Sequence, residues 1–379
     1  MKKLLPILLL IAATSCGGKE SKSSEQENIL ENLTYSVDTI VMDPGEDLFN
    51  LSMGIRDLDL TEDKRQLFYF ENMPPKLLQV DLDNLSLLSK TEFEQEGPDA
   101  VGRFVANIQV GPNNQIYAVG LSELGIYNLS GEKIQNLKIQ PEGIDPELAK
   151  NSNALFLNSI YDFVNQQIYT WVNHETSSTN SLFQIDVASE SAVLIEAPEM
   201  DIVQQYSLLA EDNGSYMASP QNVHLLKHKG KILIHCSAMA NLYEFDPKDG
   251  SIKYIEINHQ LVPNRLTGEV NRELKSEADF RKEMKKINEQ INYLKIEWDP
   301  SRQMYLRLAM KSFLGETRSD PISYEYYIFA YDQDFNLLGE SKLDLEERLD
   351  YSFFFKDGKL YSYVNVDDEL GFAVFTFDF

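Results

Sequence analysis

Five charged side chains lie at positions where they could bind a ligand. Two belong to a predicted inner strand, two flank a Gly-Pro loop and one interrupts an apolar strand: Arg56, Asp57, Asp99, Arg103 and Arg307. Removing a charge from water is costly, so a charge inside or beside a buried strand is either paired within the protein or contacts a ligand. Ion pairs between neighbouring sheets are the favoured interpretation, and a ligand-binding set is the alternative.

Three histidines lie in one short segment: His224, His228 and His235. Zinc needs three or four converging ligands, and neither a cysteine pair nor a carboxylate at a suitable spacing accompanies them. We therefore predict no metal and no cofactor. The sequence contains no common motif of serine hydrolases, zinc proteases or P-loop proteins. Its 60 acidic residues do not single out a catalytic pair, so the catalytic residues are unknown at this point.

The elements that carry these residues form a repeat. Six times a short turn leads straight into an apolar-aromatic strand, and the equivalent positions are 49 to 72 residues apart: Leu67, Ile116, Ile168, Ile232, Met304 and Leu360. A repeat of this length built from strands alone is typical of a β-propeller, in which each blade packs against its neighbours. The sequence therefore predicts an all-β fold, a six-bladed β-propeller with four antiparallel strands per blade, named a to d from the centre outward.

A second repeat supports this register. The third strand of five blades ends in an acidic or amide residue, and such side chains bond the local backbone in tight turns: Asp81, Asn128, Asp186, Asp246 and Asp332. Blade six lacks its fourth strand, whereas residues 35–43 alternate like a strand and have no partner nearby. We expect this N-terminal strand to close the ring and so remove two open sheet edges.

The predicted connections differ in length between the two ends of the strands. The a–b and c–d turns share one face and are short, whereas the b–c and d–a connections on the other face include residues 140–153, 173–180, 198–220, 258–292 and 312–323. Long loops on a rigid scaffold often bind partners, so we expect this face to bind.

One long connection, residues 258–292, is predicted to be a partly helical insertion between blades four and five. Ser276 and Asp279 resemble a capping box, and a helical stripe of apolar residues follows: Phe280, Met284, Ile287 and Ile291. We expect the stripe to pack on the propeller, and a lid or partner-docking helix is the alternative.

The first residues have the form of an export signal. Lys2 and Lys3 precede the apolar run 4–13, which is too short to span a bilayer. Small residues then lead to Cys16, and this pattern resembles the lipobox of bacterial lipoproteins, which implies cleavage before Cys16 and its lipidation. An ordinary signal peptide is the alternative. We expect a signal peptide at 1–15, lipidated Cys16 with a flexible tether at 16–34, and a single propeller domain at 35–379.

Location follows from the same resemblance. Gly17 stands where an aspartate often retains lipoproteins at the inner membrane. We therefore expect a cell-envelope protein, an outer-membrane lipoprotein that faces either the periplasm or the cell surface. The closing strand should start at the short-turn face, so the long-loop face should point away from the membrane.

Four motifs together resemble the six-bladed propeller lipoproteins of unknown function from Gram-negative bacteria. They are the lipobox, YSVDTIVMDPG at 35–45, EGPDAVG at 96–102 and WDPSRQMYLRL at 298–308. The resemblance covers the whole chain. It implies a propeller that is like the NHL type in fold only, and it brings no established activity.

Charge narrows the classes of partner. The net charge of −26 repels nucleic acid, so we expect no nucleic-acid partner. We expect a monomer that contacts the membrane through the lipid on Cys16. The predicted function is non-catalytic binding of a partner protein, peptide or glycan through the long-loop face. The alternative is a polysaccharide hydrolase or lyase with its catalysts at the channel rim.

Overall fold

The structure, a computed structural model, describes residues 27–121, 123–137, 139, 156–172, 181–212, 214–315, 317, 319–345 and 348–379. The predicted signal peptide, Cys16 and the predicted loops 140–153 and 173–180 lie outside the described residues.

The first half of the chain forms three four-stranded antiparallel sheets after an initial strand. The initial strand is β1 (Thr34–Val41). Blade one contains β2 (Asp59–Leu60), β3 (Gln66–Glu71), β4 (Lys76–Asp81) and β5 (Ser86–Glu92). Blade two contains β6 (Val105–Val110), β7 (Ile116–Gly120), β8 (Leu124–Tyr127) and β9 (Lys133–Asn136). Blade three contains β10 (Ser159–Asp162), β11 (Gln167–Val172), β12 (Ser181–Asp186) and β13 (Ser191–Glu196).

The second half adds three blades and two insertions. Between blades three and four lie α1 (Ile202–Tyr206) and a hairpin of β14 (Leu208–Asp212) and β15 (Ser215–Ser219). Blade four contains β16 (Val223–His228), β17 (Lys231–Cys236), β18 (Met239–Asp246) and β19 (Ser251–Ile255), and α2 (Glu277–Asn288) follows it. Blade five contains β20 (Asn292–Asp299), β21 (Met304–Phe313), β22 (Ser323–Tyr331) and β23 (Leu337–Leu343). Blade six contains β24 (Phe353–Lys356), β25 (Lys359–Val366), β26 (Glu369–Asp378) and, as its fourth strand, β1.

The N-terminal strand closes the ring. β1 pairs antiparallel with β26 along its whole length, from Thr34 opposite Asp378 to Val41 opposite Gly371. Because β1 and β26 satisfy each other's backbone groups, neither leaves an open edge at this junction. The predicted six-bladed fold and its closure by the N-terminal strand are therefore confirmed.

Residues 28–33, which the sequence assigns to the tether, pack against blade five. The side chain of Asn28 bonds both the backbone carbonyl and the backbone N–H of Glu340, at 3.0 and 2.9 Å. Leu30 is fully buried beside Leu343. An apolar side chain in a polar segment therefore anchors the chain just before β1.

The five turn caps expected from the sequence are confirmed. In each c–d turn the side-chain oxygen accepts a hydrogen bond from a backbone N–H at 2.8 to 3.0 Å: Asp81, Asn128, Asp186, Asp246 and Asp332. Hydrogen bonds from the backbone lower the pKa of the Asp81 and Asp186 carboxyls. The short turns are thus stabilised by their own residues.

The inner strand of blade one is much shorter than the predicted 51–59. Only Asp59–Leu60 forms β structure. Gly54 and Asp57 adopt positive φ angles of 65° and 48°, and this left-handed conformation interrupts an extended strand. Residues 51–58 instead form an irregular segment before the inner strand.

Polar side chains cap the free edges of the inner strands. An innermost strand has no neighbour towards the channel, so its backbone groups need other partners. Asp59 accepts a bond from the N–H of Val110 at 2.7 Å, which links blade one to blade two. The amide of Gln109 bonds both backbone groups of Tyr161 in blade three, at 3.0 and 2.7 Å. The centre of the ring is therefore held together largely by its own polar groups.

Candidate functional site

The two faces of the propeller differ as the sequence predicts. β26 is strand c of blade six, so its last residues lie on the short-turn face. Thr34, the first residue of β1, lies opposite Asp378 at that end, so β1 begins at the short-turn face and ends at the long-loop face. Among the connections whose residues the structure describes, apart from residue 213, the two longest are the d–a connections between blades three and four and between blades four and five. They carry α1, the β14–β15 hairpin and α2, all on the long-loop face.

We call residues 198–220 together with residues 265–288 the hairpin–helix unit. α2 lies across the hairpin, where the backbone N–H of Glu277 donates to the Asp212 carboxylate at 3.3 Å. Ser276 caps α2 by accepting a bond from the N–H of Asp279 at 3.1 Å, so the predicted capping box begins the helix as expected. Phe280 and Ile287 of the predicted stripe are buried in one apolar cluster with hairpin and blade-four residues. The stripe therefore packs within the protein.

A cavity of about 460 Å³ opens in this unit. Its wall combines apolar side chains with a few polar groups: Val203, Ser207, Leu209, Pro220, Arg272 and Leu274. A cavity of this size and character is in the range of small-ligand and side-chain binding sites. Within the described part of the chain, no residue forms an ion pair or hydrogen bond with the Arg272 side chain, which is exposed.

The outward face of the hairpin extends the apolar surface of the cavity. Leu209 pairs with Ala218, and Glu211 pairs with Tyr216, so these four side chains share one face. Leu209 and Tyr216 are 57% and 74% exposed. The opposite face carries Leu208, which is buried against the rest of the unit. An exposed leucine and tyrosine beside a cavity form a continuous contact surface.

Arg56 and Asp57 lie at the long-loop end of the inner part of blade one. The hydroxyl of Ser352 donates to the carbonyl oxygen of Ile55 at 2.6 Å, so this segment lies next to the start of β24. Asp57 is an exposed residue, but protein atoms surround its carboxyl. The resulting desolvation raises the pKa of this carboxyl to about 6, although the positive charge of Arg56 acts to lower it. Arg56 also lines a cavity of about 220 Å³ near Glu71. These two predicted residues therefore share a channel-mouth position.

The other three predicted residues lie elsewhere, each with partners inside the protein. Arg307 is fully buried between blades four and five, where its guanidinium donates to the carbonyl oxygens of Leu294, Ala240 and Cys236 at 3.0, 2.7 and 2.7 Å. The carboxylate of Asp99 accepts a bond from the N–H of Lys133 at 3.0 Å. Arg103 pairs with Glu96 at 3.5 Å, and both side chains are exposed. The five residues do not form one cluster.

The histidines are held in a neutral form by their surroundings. His224 and His235 stack with ring centroids 5.3 Å apart. Desolvation, with the nearby charges of Arg307 and Lys295, lowers the pKa of His224 to about 3. Among the described residues, no group of three His, Cys, Asp or Glu side chains is arranged to hold a metal ion.

The channel opening on the short-turn face has a different character. A cavity of about 790 Å³ lies there, and several polar side chains on its wall have partners within the protein. Gln66 accepts a bond from Gln79 at 3.0 Å, and Lys227 pairs with Asp162 at 2.8 Å. A ligand that contacts Gln66 or Lys227 would therefore compete with an existing bond.

These observations define the class: a six-bladed β-propeller protein with an added unit on its long-loop face. A family model described as "Domain of unknown function (DUF4221)" matches residues 26–342, and the chain belongs to this family. No curated protein sequence matches the chain. Within the described residues, no helix is long and apolar enough to cross a membrane.

Two solved structures illustrate the fold relationship. A member of the DUF4221 family from Bacteroides vulgatus has a TM-score of 0.65 and 15% identity, over 91% of this chain and 98% of that chain. A candidate exported protein from Bacteroides fragilis has a TM-score of 0.50 and 10% identity, over 91% of this chain and 95% of that chain. At these identities the similarity shows the fold alone.

Sequence reasoning missed the β14–β15 hairpin and the part played by Arg272. One signal was present: Asn213 and Gly214 separate two alternating segments, and Asn-Gly is the strongest short-range indication of a hairpin. No sequence signal places Arg272 at a cavity, because that position depends on how the unit folds over blade four.

Proposed function

We propose that this chain is an exported lipoprotein, anchored in the outer membrane through Cys16, whose propeller binds a partner through the hairpin–helix unit. The observation that carries the binding proposal is the 460 Å³ cavity beside the exposed face of the hairpin. An exposed apolar surface next to a cavity is typical of interaction sites. The partner is a protein, peptide or glycan, and binding involves no chemical step.

Two observations support the anchoring and its geometry. The lipobox-like segment ends at Cys16, and the fold relative from Bacteroides fragilis is described as a candidate exported protein. The chain enters the fold at Asn28 beside blade five and starts β1 at the short-turn face. A lipid on Cys16 would therefore hold the short-turn face towards the membrane and direct the hairpin–helix unit away from it.

Metabolic labelling with an alkyne fatty acid tests the anchor. We expect label on the wild-type chain and on Cys236→Ala, and none on Cys16→Ser, because only Cys16 comes directly after the signal segment. Cys236 is the matched control, since it is a free and buried cysteine. A labelled Cys16→Ser variant, or an unlabelled wild-type chain, would contradict lipidation at Cys16.

Site-specific photo-cross-linking in cells tests the binding face. A cross-linking residue at Tyr216 should trap a discrete partner, whereas one at Val193 on the outer strand of blade three should not. The control position is suitable because Val193 is 61% exposed, close to the 74% of Tyr216. Equal cross-linking at both positions, or none at Tyr216, would count against the hairpin–helix unit as the binding surface.

Asp57 favours a second candidate function, a polysaccharide hydrolase or lyase. A carboxyl with a pKa of about 6 at a channel mouth is suited to proton transfer near neutral pH. Purified wild-type protein would then cleave a polysaccharide, and Asp57→Asn would abolish cleavage. The matched control is Asp38→Asn at an exposed position on β1. Cleavage that survives Asp57→Asn would remove Asp57 as the catalyst.

A further inference from the structure

The two parts of the hairpin–helix unit differ in charge: residues 198–220 contain four Asp or Glu and no Lys or Arg, whereas residues 265–288 have a small basic excess. The whole chain has 34 basic and 60 acidic residues. Residues 265–286, by contrast, contain seven Lys or Arg and five Asp or Glu. A locally positive segment on a strongly acidic protein attracts an anionic group to that segment and repels it from most other surfaces.

Within this segment, Arg272 combines two properties. It lines the cavity, and no described residue bonds its guanidinium. Two basic side chains of α2, by contrast, have partners within the protein: Lys286 pairs with Glu283 at 2.6 Å, and Arg281 donates to the Gly315 carbonyl oxygen at 3.4 Å. A planar guanidinium without an internal partner can bind a carboxylate through two hydrogen bonds.

Apart from Gln204, Ser207 and Gln221, the rest of the cavity wall is apolar. Val203, Leu209, Pro220 and Leu274 surround the space that Arg272 borders. The ligand must therefore place an apolar group and a carboxylate close together. The last residue of a peptide does so, because its side chain and its terminal carboxylate are attached to the same Cα atom.

The exposed hairpin face indicates a ligand longer than the cavity. Leu209 belongs both to the cavity wall and to the outward face that carries Tyr216. A peptide whose last residue occupies the cavity can continue across this face. We propose that the unit binds the C-terminus of a peptide that ends in an apolar residue, with its carboxylate on Arg272. This inference rests on the proposed binding function of the same unit.

Binding of pentapeptides to the purified chain, from Glu27 onward, tests the proposal. The probes are dye-labelled mixtures with four random positions and a C-terminal Leu, Ile, Val or Phe, prepared with a free carboxylate or as amides. We expect saturable binding of the free acids measured by fluorescence anisotropy, and at least tenfold weaker binding of the amides. A third mixture ending in Ser should also bind at least tenfold more weakly.

Variants connect the binding to the cavity. Arg272→Met should weaken binding of the free acids at least tenfold, and this variant should no longer prefer the free acids to the amides. Arg272→Lys should keep part of that preference. The matched control is Arg65→Met, an exposed arginine that pairs with Asp83 at 3.0 Å and lies outside the unit, which should bind like wild type. Thermal unfolding of each variant shows whether it is folded.

Several outcomes would overturn the inference. They are equal binding of acids and amides, no binding of any mixture, and unchanged binding by folded Arg272→Met. If cross-linking at Tyr216 still traps a partner in any of these cases, the proposed binding function stands and only the C-terminal recognition fails. If both fail, the unit is not a binding surface.

Discussion

The ring of blades and the hairpin–helix unit are built from the same chain but treat their polar groups differently. In the ring, charged and amide side chains bond the backbone of the next blade, as Asp59 does with Val110. In the unit, Arg272 has no described partner, and Leu209 and Tyr216 face solvent. The ring therefore uses its side chains for stability, whereas the unit leaves groups available for binding.

This difference predicts that changes in the ring alter stability, whereas changes on the outer surface of the unit alter binding. The ring closes only through β1, so its removal should have the largest effect. Deleting residues up to 43 should abolish cooperative thermal unfolding, because β26 loses its eight partners in β1 and is left with an open edge. A chain beginning at Glu27 is the control. Cooperative unfolding of the shorter chain, at the temperature of the control, would show that β1 is dispensable.

The next largest effect is expected for Arg307→Met. This change leaves three buried carbonyl oxygens without their donor, and because one orphaned buried acceptor costs about 1–3 kcal/mol, we expect the free energy of unfolding to fall by roughly 3 kcal/mol. Urea denaturation measures the change. Arg103→Met, at an exposed pair, should stay within about 0.5 kcal/mol of wild type. Similar losses for both variants would contradict the special position of Arg307 between blades.

A smaller effect, present near neutral pH and fading in acid, is expected for Asp162→Asn. Burial opposes ionisation of Asp162, but hydrogen bonds from Lys227, Asn165 and the backbone outweigh it and lower the pKa of the carboxyl. A lowered pKa means that the unfolded chain takes up the proton first as pH falls. The stabilisation is therefore present above the ordinary carboxyl pKa of about 4 and is lost progressively below it.

Melting temperatures measured from pH 7 to pH 3 test this expectation. The wild-type chain should lose more stability on acidification than Asp162→Asn, which has already lost the ion pair with Lys227. Asp38→Asn, at an exposed position, should follow the wild-type curve. Parallel curves for wild type and Asp162→Asn would show that this ion pair does not contribute to the acid sensitivity.

The smallest effect is expected for Tyr216→Ser. Because Tyr216 is 74% exposed, the free energy of unfolding should change by less than about 0.5 kcal/mol. Urea denaturation measures it, with Val193→Ser as the control on the ring. A loss of several times this size would mean that the outward face of the hairpin is packed, and would end the contrast between unit and ring.

Much of the ring was predictable because its signals are local. A tight turn that ends in Asp or Asn is capped by that same side chain, as Asp186 and Asp332 show. Ser276 likewise caps α2 through a neighbour three residues away. The shortened inner strand of blade one was not predicted, because the backbone turns at Gly54 and Asp57 depend on the packing around them.

The candidate site was predictable only in part. The sequence directed attention to the long-loop face, to residues 198–220 and 258–292, and to Arg56 and Asp57, which are neighbours in the chain. It treated Arg307 as a candidate ligand-binding residue on the same footing as exposed residues, although all three guanidinium nitrogens of Arg307 donate hydrogen bonds to backbone carbonyl oxygens. It passed over Arg272, which resembles any other surface arginine in sequence.

The amino-acid sequence by itself determined the repeat, the number of blades, the closing strand and the turn caps. Each of these depends on strand periodicity, on turn chemistry within a few residues, or on the count of strands that need a partner. Only the tertiary structure decided which charges are bonded internally and which stay available. Whether Arg307 or Arg272 finds carbonyl partners depends on groups that lie far away in the chain and become neighbours only when the blades pack.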